Sequence, residues 1–212
     1  MKKSILLVAI VLAFAGFGKA DTCAVGTFGA SSYGAPGFSC TIGDLTFSDF
    51  SYTSLLPGSS VIVTPTSGGG ETGFKFNAPW IVSDPNALDS FIYYTVTAES
   101  PVITDLVLSI SGYGVSGNGF LSVTENASNG VDLYVCAGNI TCVQTASATF
   151  DPVASLTIRK DIAVSALFGG TASLSEVTNT TSTSEVPEPA SLTLLGTGLL
   201  GLAGVLRRKL RA

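Results

Sequence analysis

The stretch Ser90-Phe91-Ile92-Tyr93-Tyr94-Thr95-Val96-Thr97 decides how this chain is read. Every residue after Ser90 is β-branched or aromatic. Such side chains lose rotamer freedom in a helix and pack well on a pleated surface. Working outward, the same period of two recurs in short runs. Residues 41–52 alternate Leu45 and Phe47, then Phe50 and Tyr52, with an extra residue at Ser48-Asp49 that reads as a bulge. Val61, Ile62 and Val63 form a run that ends at Pro65, and residues 73–77 place Phe74 and Phe76 on one face. Residues 102–110 bring Leu106, Leu108 and Ile110 into step. Further runs occupy residues 120–124, 131–135, 142–145, 148–150, 156–158, 162–164 and 172–177. Clusters of Gly, Pro, Asn, Asp and Ser separate them at intervals of about eight to twelve residues, the spacing of a sandwich. The pattern predicts an all-β fold, an antiparallel β-sandwich of jelly-roll type over residues 21–177.

Both ends depart from this pattern. Residues 1–20 begin with Lys2 and Lys3, continue as an apolar run, and close on Gly18-Lys19-Ala20. That is the form of a secretory signal peptide cut after Ala20 and passed through the Sec translocon. The Ser/Thr-rich residues 178–186 read as a solvated stalk, because nothing in them supplies a core. Pro187-Glu188-Pro189 follows, with Val186 and Glu188 held extended by the prolines behind them. Residues 190–206 form an uncharged apolar span, predicted to be a single transmembrane helix of roughly 25 Å. Arg207, Arg208, Lys209 and Arg211 then form a basic anchor over residues 207–211, placed on the cytoplasmic side by the positive-inside bias.

The order of Pro-Glu-Pro, apolar span and basic end over residues 187–211 resembles the PEP-CTERM sorting signal of Gram-negative bacteria. Exosortases, membrane enzymes similar to transpeptidases, read that signal. The resemblance implies a cut near Pro187-Glu188-Pro189, a transient stay in the inner membrane, and delivery to the cell surface or the exopolysaccharide matrix of a biofilm. Five internal pieces carry a second resemblance: FSDFSYTS at 47–54, VIVTP at 61–65, GFKFNAPW at 73–80, LTIRKDIAV at 156–164 and ASLSEVTNT at 172–180. They look like the recurrent ectodomain of many small PEP-CTERM proteins. That likeness implies one β-rich domain and assigns no activity.

Composition narrows the chemistry. Between the two ends, residues 21–185 hold three bases (Lys75, Arg159, Lys160) against fourteen acids, a net charge of −11. Such a domain repels phosphate, so nucleic acid is not an expected partner. The chain has no histidine, which removes Ser-His-Asp and Cys-His catalysis and histidine metal sites together. No enzyme, catalytic residue or cofactor is expected. Cys23, Cys40, Cys136 and Cys142 allow three disulfide pairings. Sequence proximity favours Cys23–Cys40 and Cys136–Cys142, and the lack of C-x₂-C pairs argues against a metal site.

The remaining motifs are weak. Gly112-x-Gly114-x-x-Gly117 matches the dinucleotide fingerprint, as does Gly196-x-Gly198-x-x-Gly201 inside the apolar span. Neither opens a helix after a strand, so the first reads as a glycine-rich turn. Asp44 with Asp49, and Asp84 with Asp89, are the available acid pairs for glycoside hydrolysis. Oxygens of residues 84–89 could instead meet Ca²⁺, although turn acids are the plainer reading of all four. Asn126, Asn139 and Asn179 head glycan sequons. Trp80, Tyr93, Tyr94 and Tyr113 could stack on sugar rings; Trp80 reads rather as core, lying in an apolar run with Phe74, Phe76 and Ile81. Two functions follow as expectations: a structural surface or matrix protein, or a lectin-like carbohydrate-binding module, with calcium assistance as one form.

Overall fold

The computed structural model describes residues 21–29, 32–98, 100, 102–138, 141–167 and 169–184. The predicted signal peptide with its cut after Ala20, the Pro187-Glu188-Pro189 motif, the span at 190–206 and the basic residues Arg207, Arg208, Lys209 and Arg211 lie outside the described residues.

The described residues form one short 3-10 helix, Gly58–Ser60, and fourteen strands: β1 Asp21–Thr22, β2 Gly26–Thr27, β3 Ser39–Ile42, β4 Leu45–Ser54, β5 Ile62–Gly68, β6 Glu71–Ser83 and β7 Ala87–Ala98, then β8 Val102–Ser111, β9 Gly114–Gly117, β10 Phe120–Ala127, β11 Asp132–Gly138, β12 Thr145–Val153, β13 Ser155–Ser165 and β14 Gly170–Ser184. One sheet runs β1-β3-β4-β7-β13-β10-β11. The other runs β12-β8-β14-β6-β5-β2, with β9 also on β14. All neighbours are antiparallel except β1 and β3. The inward faces of both sheets meet in one continuous core, the arrangement of a β-sandwich.

The stretch at residues 90–97 became the middle of β7, paired on both edges with β4 and β13. Ser90, Ile92, Tyr94 and Val96 face inward. Phe74 lies among aromatic neighbours, with its ring centroid 4.7 Å from Phe47 and 5.5 Å from Phe50. The bulge at Ser48-Asp49 is present. The β4–β7 register shifts between Ser48 and Ser51, and Asp49 takes a φ of 57°. Cys23–Cys40 ties the segment after β1 to β3, and Cys136–Cys142 ties β11 to the segment before β12.

Several expectations need correction. The strand begun at Val61 does not end at Pro65; β5 continues to Gly68. Its neighbour β2 covers only Ile62 and Val63, so proline loses no ladder bond on that free edge. The runs 156–158 and 162–164 are one strand, β13. Gly112 to Gly117 is not a simple turn. Gly112, at φ 62°, bends the chain, and β9 then pairs with β14.

The largest correction concerns the expected stalk at 178–186. Residues 178–184 are the second half of β14, bonded to β6 on one side and to β8 on the other. Threonine suits a strand, and here flanking strands on both edges supply the partners that an isolated polar run lacks. Val177, Asn179 and Thr181 point into the sandwich. The Thr181 hydroxyl donates to the Asp105 carbonyl at 2.6 Å.

Candidate functional site

The aromatic side chains considered for sugar stacking are dispersed by the fold. Trp80 is fully buried, and its indole N–H donates to Ser90 Oγ at 3.1 Å. Ile81, expected beside it in the core, is 64% exposed because it occupies the opposite phase of β6. Tyr113 stands exposed at the Gly112 bend. Tyr93 lies on the outer face of its sheet, where the Arg159 guanidinium covers it. Arg159 sits 5.1 Å from the Phe91 ring centroid and 5.9 Å from that of Tyr93, and its Nε donates to the Tyr93 hydroxyl at 3.1 Å. Asp161 beside it has its carboxyl raised above the usual range by burial and by the charge of Asp89, against the pull of Arg159.

The acid pairs lie in turns, at the β4 bulge and on the outer face of β7. Asp44 is exposed in the β3–β4 hairpin, and Asp49 accepts from Ser48 Oγ at the bulge. Asp84 accepts from the Gly169 amide at 2.9 Å, and Asp89 is exposed on β7. Asn126 donates to Asp132 at 2.7 Å. Asn179 is 2% exposed, so once the domain has folded its sequon cannot accept a glycan.

A site that the sequence did not single out lies between the sheets. Glu125 on β10 and Lys160 on β13 are direct cross-strand partners, and both are fully buried. Lys160 Nζ pairs with Glu125 Oε2. The other carboxylate oxygen, Oε1, accepts from Asn179 Nδ2 at 3.1 Å, across the sandwich on β14. Asn179 Nδ2 also donates to the Val107 carbonyl at 2.9 Å. Its Oδ1 accepts from the Tyr94 hydroxyl. The Tyr94 ring completes the enclosure, with Lys160 Nζ 5.9 Å from its centroid.

These four side chains come from β7, β10, β13 and β14. Each occupies an inward phase of its strand. Lys160 falls in step with Leu156, Ile158, Ile162 and Val164, and Glu125 with Leu121, Val123 and Ala127. That in-phase charge was the available signal; an alternation search reads it as a break. Burial pushes the Lys160 ammonium below its ordinary range, opposed by the Glu125 charge and hydrogen bond. Burial, aided by the same Glu125 charge, raises the Tyr94 hydroxyl well above its ordinary value, so it remains a donor. Chemically, one carboxylate bridges an amine and a carboxamide in a site closed to water.

Comparison with known proteins adds a sorting signal. A family model described as the PEP-CTERM protein-sorting motif matches residues 185–209. The motif implies an exported protein whose C-terminus is held in the membrane before processing by an exosortase. No curated protein matches the chain. Among solved structures, TmCBM61 in complex with β-1,4-galactotriose is similar over 62% of this chain and 88% of its own, at 8% identity and a TM-score of 0.31. The enzymatically active domain of tailspike protein 4 from bacteriophage CBA120 is similar over 68% of this chain, at 13% identity and a TM-score of 0.27. The region of likeness spans a fifth of that tailspike chain. Neither likeness carries a site or an activity to this protein.

Proposed function

We propose that this chain, bearing a PEP-CTERM sorting motif, is a structural protein of the cell surface or extracellular matrix, retained among exopolysaccharide after exosortase processing. One observation carries the reading. The motif starts at residue 185, next to the end of β14 at Ser184. β14 is an interior strand, bonded along both edges. A tether at residue 185 therefore pulls on the middle of a sheet, where many ladder bonds share the load, and not on an edge strand that could peel away. The filled core, with Trp80 and Tyr94 packed inside it and Tyr93 covered by Arg159, suits a load-bearing role. The test is C-terminal mass mapping and fractionation in the native host. Protein cut near Pro189 and recovered with extracellular polysaccharide supports the reading. Intact 192–212 peptides in the surface fraction, with an exosortase present, count against it. For a carbohydrate-binding module, the outer face around Phe91, Tyr93 and Arg159 is one candidate surface, and the exposed Tyr113 is another. Specific polysaccharide retention that is lost in Tyr93→Ala would favour it.

A further inference from the structure

The buried Lys160–Glu125–Asn179–Tyr94 cluster is expensive by any ordinary account. Desolvating two charges is unfavourable even after relaxation, and well-packed apolar residues of similar volume often serve stability as well or better. The cluster therefore asks for a reason beyond packing. An amine and a carboxamide lie on opposite sheets, each hydrogen-bonded to a different oxygen of one carboxylate. The carboxamide oxygen accepts from a hydroxyl that keeps its proton. The carboxamide nitrogen is held by Glu125 and by the Val107 carbonyl.

We propose that Lys160 and Asn179 join through an intramolecular amide, an isopeptide bond between β13 and β14, with Glu125 as the group that moves the protons. Glu125 takes a proton from the Lys160 ammonium and leaves a neutral amine. The Nζ lone pair bonds to Cγ of Asn179, and the carbonyl π pair moves to Oδ1, facing the Tyr94 hydroxyl. Glu125 gives its proton to Nδ2 and takes one from Nζ. The Oδ1 pair re-forms the carbonyl, the Cγ–Nδ2 bond breaks, and ammonia leaves. Glu125 ends as a neutral carboxylic acid beside the new amide. Atoms and charge balance, and no oxidant, cofactor or water is required.

Three physical features favour the step. Burial disfavours the ammonium, so the nucleophile is available. Fixed, enclosed reactants can reach effective molarities of about 10⁵–10⁸ M. Lys160, Glu125, Asn179 and Tyr94 are all nearly or wholly buried, so hydrolysis does not compete and escaping ammonia makes the exchange one-way. The bond would fasten one sheet to the other on β14, the strand that runs on to the sorting motif. A load applied at that end would then reach a covalent link before it could shear the sheet.

The test is peptide mapping by mass spectrometry on the full chain recovered folded from its host, after reduction of the disulfides. The expected result is a branched peptide joining Lys160 to Asn179, lighter by one ammonia than its two arms. Linear peptides with a free Lys160 amine and an intact Asn179 carboxamide overturn the proposal, and this reading of the unaltered protein decides it alone. Lys160→Arg keeps a cation against Glu125 but offers no amine of the same reach; the branched peptide should disappear while the β-type circular dichroism spectrum remains. A branched peptide at Asn179 in that variant would assign the wrong nucleophile. Glu125→Gln should lower the rate of bond formation about a hundredfold or more. Undiminished formation in folded Glu125→Gln would remove Glu125 from its role.

Discussion

Glu125 and Lys160 face each other across the β10–β13 ladder as direct Cα partners, and their side chains form an ion pair with no exposure to solvent. Neither sheet alone encloses them. Lys160 is covered by Tyr94 from the neighbouring strand, and Glu125 receives Asn179 from the opposite sheet. The pair is thus a product of the closed sandwich.

Removing one partner should be far more damaging than the pair's net worth. Lys160→Met leaves a buried, unpaired carboxylate and should cost about 3–5 kcal/mol, with loss of the proposed cross-link acting in the same direction. Chemical denaturation of the variant beside the unaltered protein reads this directly. A loss under about 1 kcal/mol would show that water reaches the site.

The disulfides should map as Cys23–Cys40 and Cys136–Cys142 in non-reduced digests of exported protein. Their loops span 17 and 6 residues of sequence separation. Loop-closure entropy then gives about 3 kcal/mol for the first and about 2 kcal/mol for the second. Serine pairs at each bridge should follow that order in denaturation midpoints, and the reverse order would refute the entropic account.

Gly73 lies where β6 passes β14, and a Cβ there would collide with the Asn179 carbonyl oxygen. Gly73→Ala must push β14 aside at the residue that meets Glu125. The expected loss is about 1–3 kcal/mol. If the cross-link forms, its yield should fall in the same variant.

Glu176 accepts from Asn77 Nδ2 at 3.0 Å and Ser111 Oγ at 2.9 Å, with Lys75 Nζ at 3.5 Å. These hydrogen bonds, Asn77 foremost, hold its carboxyl below the ordinary value despite partial burial. A depressed carboxylate stabilises the fold above its unfolded value of about 4.3, and that contribution fades as pH falls through the lower, folded value. Glu176→Gln should therefore flatten the acid limb of the stability curve and leave its slope near neutral pH unchanged. Urea midpoints against pH for both proteins provide the check.

Glu188 is the one charge within Pro187-Glu188-Pro189. Glu188→Ala should leave export intact and block C-terminal processing in the native host. Accumulation of uncut chain in the inner membrane is the expected readout. Normal release of the variant would place recognition elsewhere in the motif.

How much of this was legible is clearest strand by strand. The period of two at 90–97 and 102–110 located β7 and β8, because alternate burial writes itself into the side chains. The bulge at Asp49 was legible as one extra residue in an otherwise regular alternation. β14 was legible only to Val177. Beyond it the inward positions are Asn179 and Thr181, whose partners are Glu125, Val107 and Asp105 on other strands. A polar residue reads as solvated unless the groups that satisfy it are known.

By itself, the sequence determined the local facts: β-forming segments, their turns, an even set of cysteines in an exported chain, and the tripartite tail. Each depends on neighbours along the chain or on residue type alone. Only the tertiary structure decided which phase of each strand is enclosed by the other sheet, and hence which polar residues lose water together. Lys160 and Glu125 are 35 residues apart, and Glu125 and Asn179 are 54. No local propensity relates them. Strand register brings the first two together, sheet packing adds the third, and the desolvation that follows gives all three their chemistry.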